Sequence, residues 1–132
     1  MNTGKLQRRF YTQEPAIYDK NSRTVSIDIR PDTQVGEDGN TIEGYSCVQV
    51  QISTLIDYGH IKSQLIEAAF APKEEFAVLM NSVDDSIVAV RESSSWAAFK
   101  SALGTDDIQE FVDFCEYRAA CAAAAKEVLK AY

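Results

Sequence analysis

The sequence predicts an α+β domain in which an N-terminal three-stranded antiparallel meander packs against a helical layer ending in a long C-terminal helix. Two alternating apolar/polar runs lie before residue 57, and from Asp57 onward the apolar spacing turns helical. The two patterns do not interleave along the chain, which favours a segregated sheet and helix layer over βαβ units. The 132 residues, 45% hydrophobic and 25% charged, suit one domain over 1–132 whose core needs no staples.

Residues 1–12 show no period and are expected to form a loose arm. Leu6, Phe10 and Tyr11 among Lys5, Arg8 and Arg9 would give that arm an amphipathic character if it docks on a partner. Ala16–Tyr18 leads through Asp19-Lys20-Asn21-Ser22, a set of turn formers, into the Arg23–Arg30 strand with Val25, Ile27 and Ile29 on one face. Pro31 is expected to stop the ladder and Asp38-Gly39 to supply a positive-φ turn. The next strand carries Val48, Val50 and Ile52 on one face and Gln49 and Gln51 on the other, with Ile42 at its possible start before Gly44.

Asp57 caps a helix whose stripe is Tyr58, Ile61, Leu65 and Ala68 or Ala69. Pro72 ends that helix or opens the next, where Glu74 and Glu75 suit the first turn and Phe76, Leu79 and Met80 make a short apolar face. Asn81–Asp85 reads as a turn. Five residues cannot decide whether Ser86–Val90 is strand or helix. Ser94 or Ser95 is expected to cap a short helix with Trp96, Phe99 and Leu103, stopped by Gly104.

Thr105-Asp106-Asp107 then starts the last helix, with Asp106 and Gln109 at capping-box spacing. Its stripe runs Ile108, Phe111, Val112, Cys115, Ala119, Ala122 and Leu129, widened by Phe114, Tyr117, Cys121 and Val128. Roughly 26 helical residues at about 1.5 Å each give a rod near 39 Å, longer than a small domain is wide. The apolar surface exceeds what three strands cover, and the small side chains of Ala119–Ala125 permit close helix approach. Phe111, Phe114, Tyr117, Ala119, Ala122 and Ala123 are therefore the expected interface.

The formal charge is −7, and all of the excess falls after residue 40: the 41–132 stretch has seven basic and fourteen acidic residues, whereas 1–40 balances. Such a surface repels phosphate, so no nucleic-acid partner is expected; Lys5, Arg8 and Arg9 are the only local exception. No run has signal-peptide or membrane-span length, which points away from a membrane and to a reducing, cytoplasmic or virion-associated setting. Cys47, Cys115 and Cys121 then read as packing residues, and their spacings fit no zinc or redox site.

Chemistry-bearing patterns are sparse. His60 is the sole histidine, and with Asp57 and Tyr58 it is the one candidate for a small enzyme or ligand-binding site. Asp84-Asp85, Asp106-Asp107 and the Asp32–Asn40 stretch offer carboxylates to hard cations, but they sit at expected caps and turns or miss the EF-hand order. There is no phosphate-binding loop, dinucleotide fingerprint or nucleophile elbow, so no cofactor is expected.

Asp57-Tyr58-Gly59-His60-Ile61-Lys62-Ser63-Gln64-Leu65-Ile66-Glu67, followed by Phe70 and Lys73-Glu74-Glu75-Phe76, resembles the Asp-Tyr-x-x-Ile-x-Ser-x-Leu-Ile helix of small uncharacterised proteins encoded in phages and prophages of gut bacteria. Phe111–Leu129, with Tyr117-Arg118 and Ala125-Lys126-Glu127-Val128-Leu129, is similar to the closing helix of those proteins. The resemblance covers roughly residues 40–130, and the stretch 83–103 with Trp96 departs from it. It implies company among virion-structure genes. The expected function is a non-enzymatic interaction protein, an accessory to virion or tail assembly, that acts as a homo-oligomer or on a phage structural protein.

Overall fold

The computed structural model describes the backbone of residues 1–92 and 106–132, and the side chains of 1–84 and 109–132. Four strands, β1 (Arg9–Tyr11), β2 (Tyr18–Asp19), β3 (Thr24–Val35) and β4 (Thr41–Gln51), form an antiparallel sheet in the order β1-β4-β3-β2. Among the described residues three helices follow: α1 (Tyr58–Ala69), α2 (Pro72–Glu92) and α3 (Asp106–Leu129). The architecture is α+β, and β2-β3-β4 are the meander that the alternation predicts.

The fourth strand corrects the expectation of a loose arm. Arg9, Phe10 and Tyr11 pair with Cys47, Ser46 and Tyr45, and upstream the Lys5 N–H donates to the Ala69 carbonyl at 3.1 Å. Leu6 packs against the core of its own chain. Three residues are too short a run for alternation to register, so this strand is fixed by tertiary contacts. Gly44 is one of them: a Cβ there would collide with the Tyr11 carbonyl and the Phe10 ring.

Pro31 does not stop the ladder. It pairs with Tyr45, and the β3–β4 hairpin runs on to Val35↔Thr41 before the turn at Gly36–Asn40. Beyond Arg30 the outer edge of β3 is open, because β2 covers only Thr24 and Val25; proline is admitted on strands with an open edge. Gly39, at φ 80°, supplies the expected left-handed turn residue. From Arg30 to Glu43 every residue but Gly36 is exposed, so the hairpin end stands clear of the body.

The register slips between Ile27 and Arg30, where Asp28 sits at φ 55°. Arg8 fills this bulge. Its guanidinium donates to Asp28 Oδ2 (2.6 Å), the Asp28 carbonyl (2.7 Å), the Ser46 carbonyl (2.8 Å) and Ser46 Oγ (3.0 Å). β1 and β2 lie on opposite edges, so residues 12–17 cross the sheet. Ser26 and Cys47 are buried on the face away from the helices.

α1 begins as predicted, with Asp57 accepting from the His60 N–H at 3.1 Å. Ile61, Leu65, Ile66 and Ala69 are buried, while Tyr58, expected on the stripe, is exposed. Pro72 is the first residue of α2. That helix continues through Asn81–Asp85 and Ser86–Val90, so the expected turn is absent and the open choice at 86–90 resolves to helix. Asn, Ser and Asp are weak turn signals that a long helix overrides. The Ser94/Ser95 cap, the Trp96–Phe99–Leu103 helix, its Gly104 stop and the Thr105 cap lie outside the described residues.

α3 spans 24 residues. Gln109 Nε2 donates forward to Asp113 at 2.9 Å; the expected Asp106–Gln109 capping box falls at the edge of the described side chains, which resume at 109. One continuous core joins Val25, Ile27, Val48, Val50 and Ile52 of the sheet region, Ile61, Leu65 and Phe70, and Phe114, Tyr117, Cys121, Ala125 and Val128 of α3.

Candidate interaction surface

The six residues expected at an interface divide by helix face. Phe114 and Tyr117 are core residues, 3% and 0% exposed. Phe70 meets the Phe114 ring edge-on at 5.0 Å and the Tyr117 ring at 5.7 Å, and the Tyr117 hydroxyl donates to the Leu65 carbonyl. Neither is available to a partner, because α1 already takes the aromatic surface that the sheet leaves uncovered. Phe111 is half-buried, Ala122 likewise, and Ala119 and Ala123 are exposed.

The alanine run also faces its own chain. Ala124 and Ala125 are buried in the core, and Ala120, Ala123 and Ala124 border a cleft of about 460 Å³ with Ile27 and Ile29 of β3. Small side chains here let α3 approach the sheet closely.

The Asp57–His60 contact, 3.1 Å between Oδ2 and Nδ1, lies in the open at the start of α1, with both side chains about 60% exposed. The hydrogen bond from the His60 side chain, then that from its backbone N–H, hold the Asp57 carboxyl below its ordinary range. Asp57 is occupied as a cap, and Tyr58 beside it is exposed. The Asp38 carboxylate likewise serves its turn, accepting from the Asn40 backbone and side chain at 3.0 and 2.9 Å. Among the described residues no three His, Cys, Asp or Glu side chains gather as a metal site, and no helix is long and apolar enough to cross a membrane.

Cys47 and Cys121 are buried packing residues, as expected; Cys115 is exposed. Burial pushes the Cys121 thiol up to about 11, and it raises the Tyr117 hydroxyl as well.

The surface that stands out lies on α2. Val78 and Ser82 are buried, while Phe76 (64% exposed), Leu79 (43%), Met80 (37%) and Val83 (38%) point outward. Their spacing of i, i+3, i+4 and i+7 is that of a helix face made for burial. The expected face Phe76–Leu79–Met80 thus exists, but the chain's own core does not take it. Across from it, Phe111, Phe114 and Cys115 of α3 join Phe76 and Leu79 around a groove of about 420 Å³, bounded by the Glu75–Arg118 ion pair at 3.3 Å. Val112 adds a further exposed apolar side chain. Soluble chains seldom leave so many neighbouring apolar groups in water without use. Ending this helix at an Asn81–Asp85 turn left Val83 off the expected face, because Val83 counts on it only if the helix runs on.

No protein-family model, curated protein or solved structure matches the chain.

Proposed function

We propose that this chain is a non-enzymatic interaction protein of phage or prophage origin, an accessory to virion or tail assembly, working through the α2–α3 face. The observation that supports the reading is the outward stripe of Phe76, Leu79, Met80 and Val83 beside a groove lined by Phe111 and Cys115. That much apolar area is an interface in search of a counterpart. The competing reading, a small enzyme or ligand-binding protein using Asp57, Tyr58 and His60, has in its favour only the Asp57–His60 side-chain contact, and the same Asp57 carboxylate already serves as the cap of α1.

Quantitative mass spectrometry on particles and assembly intermediates from a producing host tests the proposal. The chain is expected to co-purify with structural proteins, and Phe76→Glu to release it. Equal co-purification of the two proteins would contradict the assignment of this face.

A further inference from the structure

Resting on the reading of the α2–α3 face as an interaction surface, we infer that its counterpart is a basic amphipathic helix of another protein, an apolar ridge flanked by Lys or Arg that lies in the groove between the two helices. Charge selects this occupant. α2 and Asp106–Arg118 of α3 carry Glu74, Glu75, Asp84, Asp85, Glu92, Asp106, Asp107, Glu110, Asp113 and Glu116 against Lys73, Arg91 and Arg118, which balances to −7, the formal charge of the entire chain. The excess negative charge is thus concentrated on the two helices that leave apolar side chains uncovered.

A second copy would bring an equally acidic pair of helices against the first, and like charges across an interface are repulsive. A phosphate-bearing surface, whether nucleic acid or anionic lipid, is repelled for the same reason. A cationic helix meets both requirements: its ridge fills the space among Phe76, Leu79, Phe111 and Cys115, and its flanking cations face the carboxylates. Of the cations here, Arg118 is already paired with Glu75.

The experiment titrates the intact protein with a fluorescent synthetic helix of leucine and lysine, leucines at i, i+3, i+4 and i+7, and with its leucine–glutamate counterpart as control. Binding of the lysine helix alone is expected, weakening at least tenfold as salt rises from about 0.05 to about 0.5 M. Phe76→Glu and Leu79→Glu separate docking from general attraction, since each adds negative charge. Docking in the groove predicts at least a tenfold loss, whereas charge attraction alone predicts tighter binding and would overturn the inference. Phe76→Gln, neutral at the same exposed position, should lose affinity similarly while the far-ultraviolet dichroism stays unchanged.

Equal binding of both helices, or of neither, would also overturn it. Light scattering distinguishes this failure from failure of the interaction reading: a dimer dissolved by Phe76→Glu leaves the face an interface but makes a second copy its occupant.

Discussion

Tyr117 shows how one side chain ties the helical layer together. Its ring is wholly buried against Phe70, and its hydroxyl reaches the Leu65 carbonyl on α1. Tyr117→Phe should cost about 1 kcal/mol, the net value of one hydrogen bond, and Tyr117→Ala about 3–5 kcal/mol as a large cavity opens; urea unfolding midpoints measure both. Cys121, one turn on, gives a pH signature. Burial holds its thiol protonated up to about 11 in the folded state, against 9.0 in the unfolded chain. Between those values the folded protein binds more protons, so stability present below pH 9 falls as pH rises toward 11. Melting temperatures across that window should decline in the wild type and decline less steeply in Cys121→Ala, whose stability at neutral pH is lower throughout. Identical slopes would contradict the assignment. The burial of Tyr117 and Cys121 was legible as helical stripe membership, but their facing α1 was not: periodicity defines a face and leaves its neighbour unnamed.

At the scale of elements, the sheet depends on two local devices that alternation does not reveal. The bulge at Asp28 is held by Arg8, whose guanidinium makes four bonds to Asp28 and Ser46. Arg8→Ala should destabilise by about 2 kcal/mol, as expected for part-buried charge-assisted hydrogen bonds. Asp28→Asn should cost less, because asparagine tolerates the left-handed backbone. A loss for Arg8→Ala under about 0.5 kcal/mol, ordinary for surface sites, would show that the bulge needs no filling. Gly44 lets β1 approach β4, so Gly44→Ala should strip hydrogen-exchange protection from Arg9–Tyr11 while sparing the β3–β4 ladder. For α2, orientation is checked by contrast: Val78→Ala should cost more than about 1 kcal/mol and Phe76→Ala less than about 0.5 kcal/mol, since only Val78 is buried. Strands β3 and β4 and helix α3 could be read from period, and helix α1 from period and its Asp57 cap. β1 was too short for period, and α2 was cut where Asn81-Ser82-Val83-Asp84-Asp85 imitates a turn.

Over the whole molecule, apolar surface and charge converge on one place. The long last helix was expected to leave an apolar stripe for a partner, and it does so only in part: Phe114 and Tyr117 go to the core against Phe70 and α1, and Ala120, Ala123, Ala124 and Ala125 to the core and the cleft beside β3. The uncovered surface lies instead on α2, with Phe111 and Cys115 of α3 beside it. Composition shows the −7 charge but not its concentration on the same two helices, which appears only once they pack as a pair. The most direct test places a photo-crosslinking amino acid at position 76 in the producing cell, with the same label at position 60 as reference. The account predicts a discrete adduct at 76 with a different protein, mapped to a lysine- or arginine-rich helical segment, and none at 60. An adduct at 60 alone, or at 76 only with a second copy of this chain, would contradict it.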